Sequence, residues 1–364
     1  MAAATRLERL DVHAYTIPTD EQPESDGTLE WDSTTIVVVE AQAGGRTGIG
    51  YTYCDAAAAE VVSSQLAGVV EGEDAMNVRA AWLRMGAQIR NAGRPGIGFC
   101  AISAVDQALW DLKARLLDVP LVVLLGAAHE DVPIYGSGGF CSYSDARLAE
   151  QLGGWAADGI PRVKMKIGRD PERDPARLDA ARSAIGGDVE LFVDANGAFT
   201  AKNALAWAER FALEWNVSWF EEPVSSADFE GLRLVREHGP AGLEIAAGEY
   251  AYVAADFRNI VECVDVLQAD VTRCGGITGL LTASGLANAH GIDVSAHCAP
   301  AISAHAFCAV ERRRHLEYFH DHVRIEAMLF DGVVEPAGGV LRPDRSRPGN
   351  GLTLKRKEIE RWAA

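Results

Sequence analysis

The sequence predicts an α/β fold built on a barrel of parallel strands, preceded by a segment of strands and helices. Three observations carry that expectation. From about residue 131, short β-rich runs alternate with helical stretches. There are eight such runs, and most end in a polar residue suited to chemistry. Residues ending parallel barrel strands converge on the C-terminal mouth, where such barrels place their active sites. An open doubly wound sheet is the rival, but no glycine-rich phosphate loop follows a first strand.

The elements follow in chain order. Residues 34–53, TTIVVVEAQAGGRTGIGYTY, hold two β-rich runs flanking Gly44-Gly45, a hairpin signal. Before them, residues 18–31 are polar, acidic and short of apolar side chains, which predicts a long loop, either mobile or functional. Ile102, Val105, Leu109, Leu112 and Leu116 recur at spacings of three and four, one helical stripe. The barrel runs are VPIYGSGG from Val132, PRVKMKIG from Pro161, VELFVDAN from Val189 and VSWFEEP from Val217. They continue with LEIAAGE from Leu243, VDVLQAD from Val264, GIDVSAH from Gly291 and RHLEYF from Arg314. The last forty or so residues lose the pattern, and GVLRPDRSRPGNGL is expected to pack back on the N-terminal part.

Composition narrows the function. The 364 residues are 48% hydrophobic and 24% charged, ordinary for a globular protein. With 34 basic against 52 acidic residues the net charge is −18, and no basic run occurs. Nucleic acid and anionic membrane are therefore not expected as partners. Seven scattered cysteines without a CxxC pair suit a reducing cytoplasm. The start, MAAATRLERLDV, has no apolar core of a secretory leader. The most apolar stretch, Val119 to Ala128, is too short to span a bilayer.

The chemistry lies at the strand ends: Lys164 and Lys166, Asp194, Glu221, Glu249, Asp270, His297 and Glu317. Asp194, Glu221 and Glu249 close three successive strands. An oxygen-only set of three carboxylates suits a hard divalent ion, Mg2+ first. The other reading is a set of salt-bridged carboxylates. Lys164 and Lys166 are two apart in a strand and share a face. Like charges disfavour ionisation, so one lysine is expected to fall toward neutrality and act as a base. The other reading pairs both with nearby carboxylates. Asp270 on one imidazole nitrogen would orient His297 and raise its basicity. His305 and His315 are not placed at the mouth, and Cys274 and Cys298 are read as packing residues.

These residues sit in motifs: KMK at 164–166, DAN at 194–196, EEP at 221–223, GE at 248–249, DVTRCGG at 270–276, SAH at 295–297 and HLE at 315–317. With RPGIGFCAISAVDQALWDLKAR at 94–115, the chain resembles the enolase superfamily, and within it the mandelate racemase subgroup. The resemblance implies a modified TIM barrel, (β/α)7β, with an α+β N-terminal capping domain. The implied boundaries are 1–130 for the cap, 131–325 for the barrel and 326–364 for a C-terminal segment returning to the cap. It implies Mg2+ on Asp194, Glu221 and Glu249. Lys166 would be one base, with its pKa lowered by Lys164. His297, held by Asp270, would act on the opposite face. Glu317, protonated, would donate a hydrogen bond to the substrate carboxylate. Asn196 and Trp31 would contact substrate, and Arg273 either substrate or neighbouring Asp and Glu carboxylates. Arg273 departs from the pattern, which has lysine there; an arginine cannot serve as a base.

The expected reaction is removal of the proton beside a carboxylate, through an enediolate. Dehydration of an acid sugar to a 2-keto-3-deoxy acid is favoured, since Asp20, Glu21, Glu24 and Asp26 make the 18–31 loop polar. Racemisation of a 2-hydroxy acid uses the same groups. A non-catalytic binding relative is the reading from another class. The partner is a small carboxylate, and a homo-oligomer is expected.

Overall fold

The computed structural model describes residues 5–20 and 23–364. Three antiparallel strands form the N-terminal sheet: β1 (Arg9–Pro18), β4 (Ser33–Ala43) and β5 (Arg46–Tyr53), in the order β1-β4-β5. Two short strands, β2 (Glu24–Ser25) and β3 (Glu30–Trp31), pair between β1 and β4. The 18–31 loop is thus a small hairpin rather than irregular chain. Glu21 lies outside the described residues.

The centre of β4, Ile36–Val39, reads as an unbroken apolar run because both of its faces are covered. Ile36 and Val38 join the core shared with the barrel. Val37 and Val39 join the core under the helices of the cap. Alternation with period two sends successive residues to opposite faces, so a sheet buried on both sides needs no polar positions. The helix Ile97–Leu116 carries the expected stripe, and Ile102, Val105, Leu109 and Leu112 are buried.

All eight β-rich runs become parallel strands. They are β6 (Val132–Gly138), β7 (Arg162–Lys166), β8 (Glu190–Asp194) and β9 (Val217–Glu221). β10 (Glu244–Ala247), β11 (Val266–Ala269), β12 (Asp293–Ala296) and β13 (Arg313–Phe319) complete them. Each pairs with its successor, and β13 pairs with β6 to close the ring. A helix separates each strand from the next, which makes seven helices for eight strands. Val340–Leu341 adds an antiparallel strand outside β6.

Aromatic residues fill the barrel below its mouth. Tyr135, Phe192 and Trp219 cluster with Ala246 and Val266. His315 joins them, 5.0 Å from the Trp219 ring, in the barrel interior rather than at the mouth. The C-terminal segment runs back to the cap: Asn350 N–H donates to Asp111 at 2.6 Å, and Ala364 N–H to Ala14 at 3.0 Å. Among the described residues no helix is long and apolar enough to cross a membrane.

Candidate active site

The mouth of the barrel gathers the strand-end residues into one buried cluster. Asp194 and Glu221 end β8 and β9, and Glu249 follows β10 by two residues. One oxygen from each lies within 4.8 Å of the others. Gly248, at φ +137°, makes the turn that brings Glu249 inward; a Cβ there would meet the Gln268 carbonyl at 2.2 Å.

Both lysines point into this cluster. Lys166 Nζ donates to Asp194 Oδ2 at 2.6 Å. Lys164 Nζ lies 2.5 Å from Glu221 Oε1, 2.7 Å from Glu317 Oε1 and 3.2 Å from Asp194 Oδ2. Burial and the Lys164 charge both push Lys166 down, as the sequence expects. Asp194 outweighs them and holds Lys166 above the ordinary lysine range. Lys164 lowers Lys166 as expected, but the two ammonium groups share the Asp194 carboxylate, whose charge outweighs it. Burial opposes charge on Asp194, but Lys166 and Lys164 keep it below the usual carboxylate range. Burial and the Asp194 charge push Glu221 up to about 8 despite Lys164.

On the other side of the mouth, His297 Nδ1 lies 2.7 Å from Asp270 Oδ2. Asp270 Oδ1 accepts from Thr272 N–H and Oγ1–H at 2.6 and 2.7 Å, so both oxygens are engaged. This orients the ring and sends Nε2 toward Glu249 Oε2 at 3.2 Å and Glu317 Oε2 at 3.5 Å. Burial disfavours the imidazolium, but Cys298, Glu249, Glu317 and Asp270 together raise His297 well above its ordinary value.

Glu317 differs from expectation in charge. It lies within β13, near rather than at its end. Burial would raise it, yet Lys164 and His297 hold it far below the usual carboxylate range. Ser137 Oγ–H at 2.6 Å and Cys298 Sγ–H at 3.2 Å also donate to it. In this arrangement Glu317 accepts from Ser137 and sits against Lys164, where the sequence reading expects it to donate to the substrate carboxylate.

The three expected substrate contacts fall differently. Asn196 turns at φ +46°, and its buried Oδ1 meets no donor among the described residues. Trp31 donates to Asp321 Oδ2 at 3.3 Å and packs edge-on against Phe140, tying the loop to the barrel. Arg273 is engaged by protein: Nη1 lies 3.4 Å from Glu249 Oε1, Nε lies 3.5 Å from Asp270 Oδ2, and the guanidinium covers Tyr250. Of the two readings of Arg273, substrate contact or Asp and Glu neighbours, the structure shows the carboxylate neighbours.

Two residues of the cluster escaped the sequence reading. Glu222, at φ +38°, is buried with its Oε1 unpaired, and burial with Glu249 raises it strongly. Cys298, at φ +51°, is no mere packing residue: Sγ lies 3.3 Å from His297 Nε2. The doubled glutamate of EEP and the residue after SAH were the available signals.

The loop lies directly on this site. A Cβ at Gly27 would meet the Ala195 and Ile167 carbonyls at 2.3 and 2.7 Å, just past the ends of β8 and β7. Glu24 is buried under Tyr143, whose hydroxyl donates to it at 3.2 Å.

Fold and site together define a barrel enzyme whose acid–base and carboxylate groups converge at the strand ends. The chain belongs to the enolase superfamily, in the mandelate racemase/muconate lactonizing enzyme group. Residues 17–126 match the mandelate racemase / muconate lactonizing enzyme N-terminal domain, and residues 146–358 the enolase C-terminal domain-like family. A mandelate racemase/muconate lactonizing enzyme-like protein from Rubrobacter xylanophilus superposes with a TM-score of 0.97 at 63% identity, covering 99% of this chain and 100% of that one. The 3,6-anhydro-α-L-galactonate cycloisomerase of Streptomyces coelicolor is 33% identical, over 98% of each chain. The L-talarate/galactarate dehydratase of Salmonella typhimurium, solved with Mg and L-lyxarohydroxamate, has a TM-score of 0.89 at 27% identity, covering 100% of this chain and 94% of that one.

Proposed function

We propose that the chain removes the proton α to the carboxylate of a hydroxylated acid and expels the oxygen on the β-carbon, leaving a 2-keto-3-deoxy acid. One observation carries the reading: Lys166 and the His297–Asp270 pair face a single cluster of three buried carboxylates from different sides of the mouth. The cluster fits a hard divalent cation. Its donors are all oxygen, and one oxygen from each buried carboxylate lies within 4.8 Å of the others. Asp194, Glu221 and Glu249 would hold Mg2+. When bound, that ion supplies positive charge that stabilises a doubly charged carboxylate as it forms.

This chain's residues do the rest. Lys166, unprotonated at the moment of reaction, takes the α-proton. The C–H electron pair moves onto the carboxylate as an enediolate. Lys164, fixed between Glu221 and Glu317, adds a preorganised cation beside that charge, and Glu317 orients it. His297, kept protonated by its carboxylate neighbours, gives its proton to the departing β-oxygen as the C–O bond breaks. The enol then becomes the keto acid. Where the oxygen is a hydroxyl, water leaves. Where it closes a ring, the product opens without loss of atoms. The cycloisomerase relative, matching across nearly the whole chain, favours this second reading. Seven unpaired cysteines suit a reducing, cytoplasmic setting.

The test incubates the protein and Mg2+ with aldonic, aldaric and anhydro-aldonic acids, and separately with single enantiomers of aromatic 2-hydroxy acids. A keto acid from the first group supports the proposal. Loss of optical rotation in the second, with no keto acid in the first, assigns a racemase instead.

A further inference from the structure

We propose that His322 determines substrate specificity, its Nε2–H donating a hydrogen bond to a hydroxyl of the substrate chain. The inference rests on the reading of the substrate as a hydroxylated acid. His322 is the third residue of the helix His320–Leu329, which follows the strand carrying Glu317. Its ring is clamped on two sides. Tyr53, from the cap, stacks on one face with centroids 3.4 Å apart and planes 8° apart. Phe319 meets it at right angles, 5.1 Å away.

The tautomer follows from one hydrogen bond. Ala299 N–H donates to His322 Nδ1 at 3.2 Å. A neutral imidazole that accepts at Nδ1 carries its proton on Nε2. The ring is neutral, since burial and the nearby His297 push it down to about 3. Among the described residues Nε2 has no acceptor, yet it is not one of the enclosed unpaired atoms. His322 is 5% exposed, so its Nε2 is a fixed donor neither paired nor fully enclosed. His297, Asp270, Arg273 and Glu317 all lie within electrostatic reach of the ring.

The backbone that sets this up is unusual. Cys298 and Ala299 stand consecutively at φ +51° and +47°. Such a pair is costly for residues other than glycine and persists where surrounding structure enforces it. Here it directs the Cys298 thiol to His297 and Glu317, and the next N–H to His322. The site's charged groups suit the carboxylate end of a substrate. An uncharged, orientation-locked donor suits a neutral hydroxyl, and sites built this way reject analogues lacking the group.

The experiment compares wild type with His322→Asn, whose side-chain oxygen can still accept from Ala299 N–H while no donor reaches the Nε2 position. Galactonate and a set of galactonates each lacking one hydroxyl are assayed with Mg2+. The expected result is a loss in kcat/KM on the order of tenfold to a hundredfold for galactonate, and no loss for one particular deoxy analogue. Equal loss on every compound, or none on any, overturns the proposal. If wild type turns over none of the aldonic, aldaric and anhydro-aldonic acids named above, the reaction assigned above has failed. The specificity claim is then read by calorimetric binding of the same compounds: weaker binding by His322→Asn, abolished for one analogue, supports it, and equal binding by both proteins overturns it. Thermal midpoints of both proteins show whether the variant is folded.

Discussion

Lys166 Nζ stands 2.6 Å from Asp194 Oδ2, so the group assigned as base is ion-paired to a carboxylate assigned to the cation. Base and cation site are therefore one electrostatic unit. Lys166→Met leaves Asp194 buried without its nearest partner, a change that costs about 3–5 kcal/mol for a buried pair. Added Mg2+ should restore much of that loss, on the order of 2.7 kcal/mol at a hundredfold excess over Kd. Thermal unfolding of the variant with and without Mg2+ measures this. A deficit that Mg2+ leaves untouched would separate the two roles.

Asp270 sets both the orientation and the protonation of His297. Asp270→Asn removes one of the charges that stabilise the imidazolium, so the His297 pKa falls. Activity that needs protonated His297 is lost as pH rises through that pKa. The alkaline limb of the kcat profile should thus move to lower pH in the variant, with kcat reduced roughly 10²- to 10⁴-fold. An unmoved limb would assign it to another group.

The eight strands were legible because each run is β-rich and most close on a polar residue suited to chemistry. Counting strand ends recovers one side chain per strand, and it found Lys166, Asp194, Glu221, Glu249, Asp270 and His297. It cannot find side chains that enter because the backbone turns left-handed. Glu222 at φ +38° and Cys298 at φ +51° reach the site that way. Nor does residue type report which partner engages it: Arg273 could face substrate or neighbouring carboxylates, and Glu249 and Asp270 flank it in space. Charge states were hidden for the same reason, since the number of cations around Glu317 depends on packing.

The loop is held by a carboxyl pair. Burial and the neighbouring Asp321 raise Glu24 to about 9. An unfolded glutamate loses its proton near the ordinary value of about 4.3. Between those values the folded chain binds more protons, so stability falls as pH rises through that window. Glu24→Gln should flatten the slope of unfolding free energy from pH 6 to 9 and gain about 1–2 kcal/mol at the alkaline end. An unchanged slope in urea titrations would contradict the assignment.

Gly27 presses on the Ala195 and Ile167 carbonyls. Gly27→Ala forces an overpacked contact, typically about 1–3 kcal/mol, which should fall on loop closure. KM for the acid substrate should rise while Mg2+ affinity stays at the wild-type value. Steady-state kinetics with calorimetric Mg2+ titration distinguishes this from a general loss of structure.

The central claim is that Lys166 takes the proton beside the carboxylate while His297, from another side of the mouth, gives its proton to the departing β-oxygen. Proton NMR in D2O with Mg2+ reads it directly, following the α-proton and the keto acid formed from an acid that the wild type turns over. Lys166→Ala should stop both exchange and keto-acid formation, and His297→Asn should keep α-proton exchange while keto-acid formation stops. Exchange retained by Lys166→Ala, or exchange lost in His297→Asn, would contradict the account.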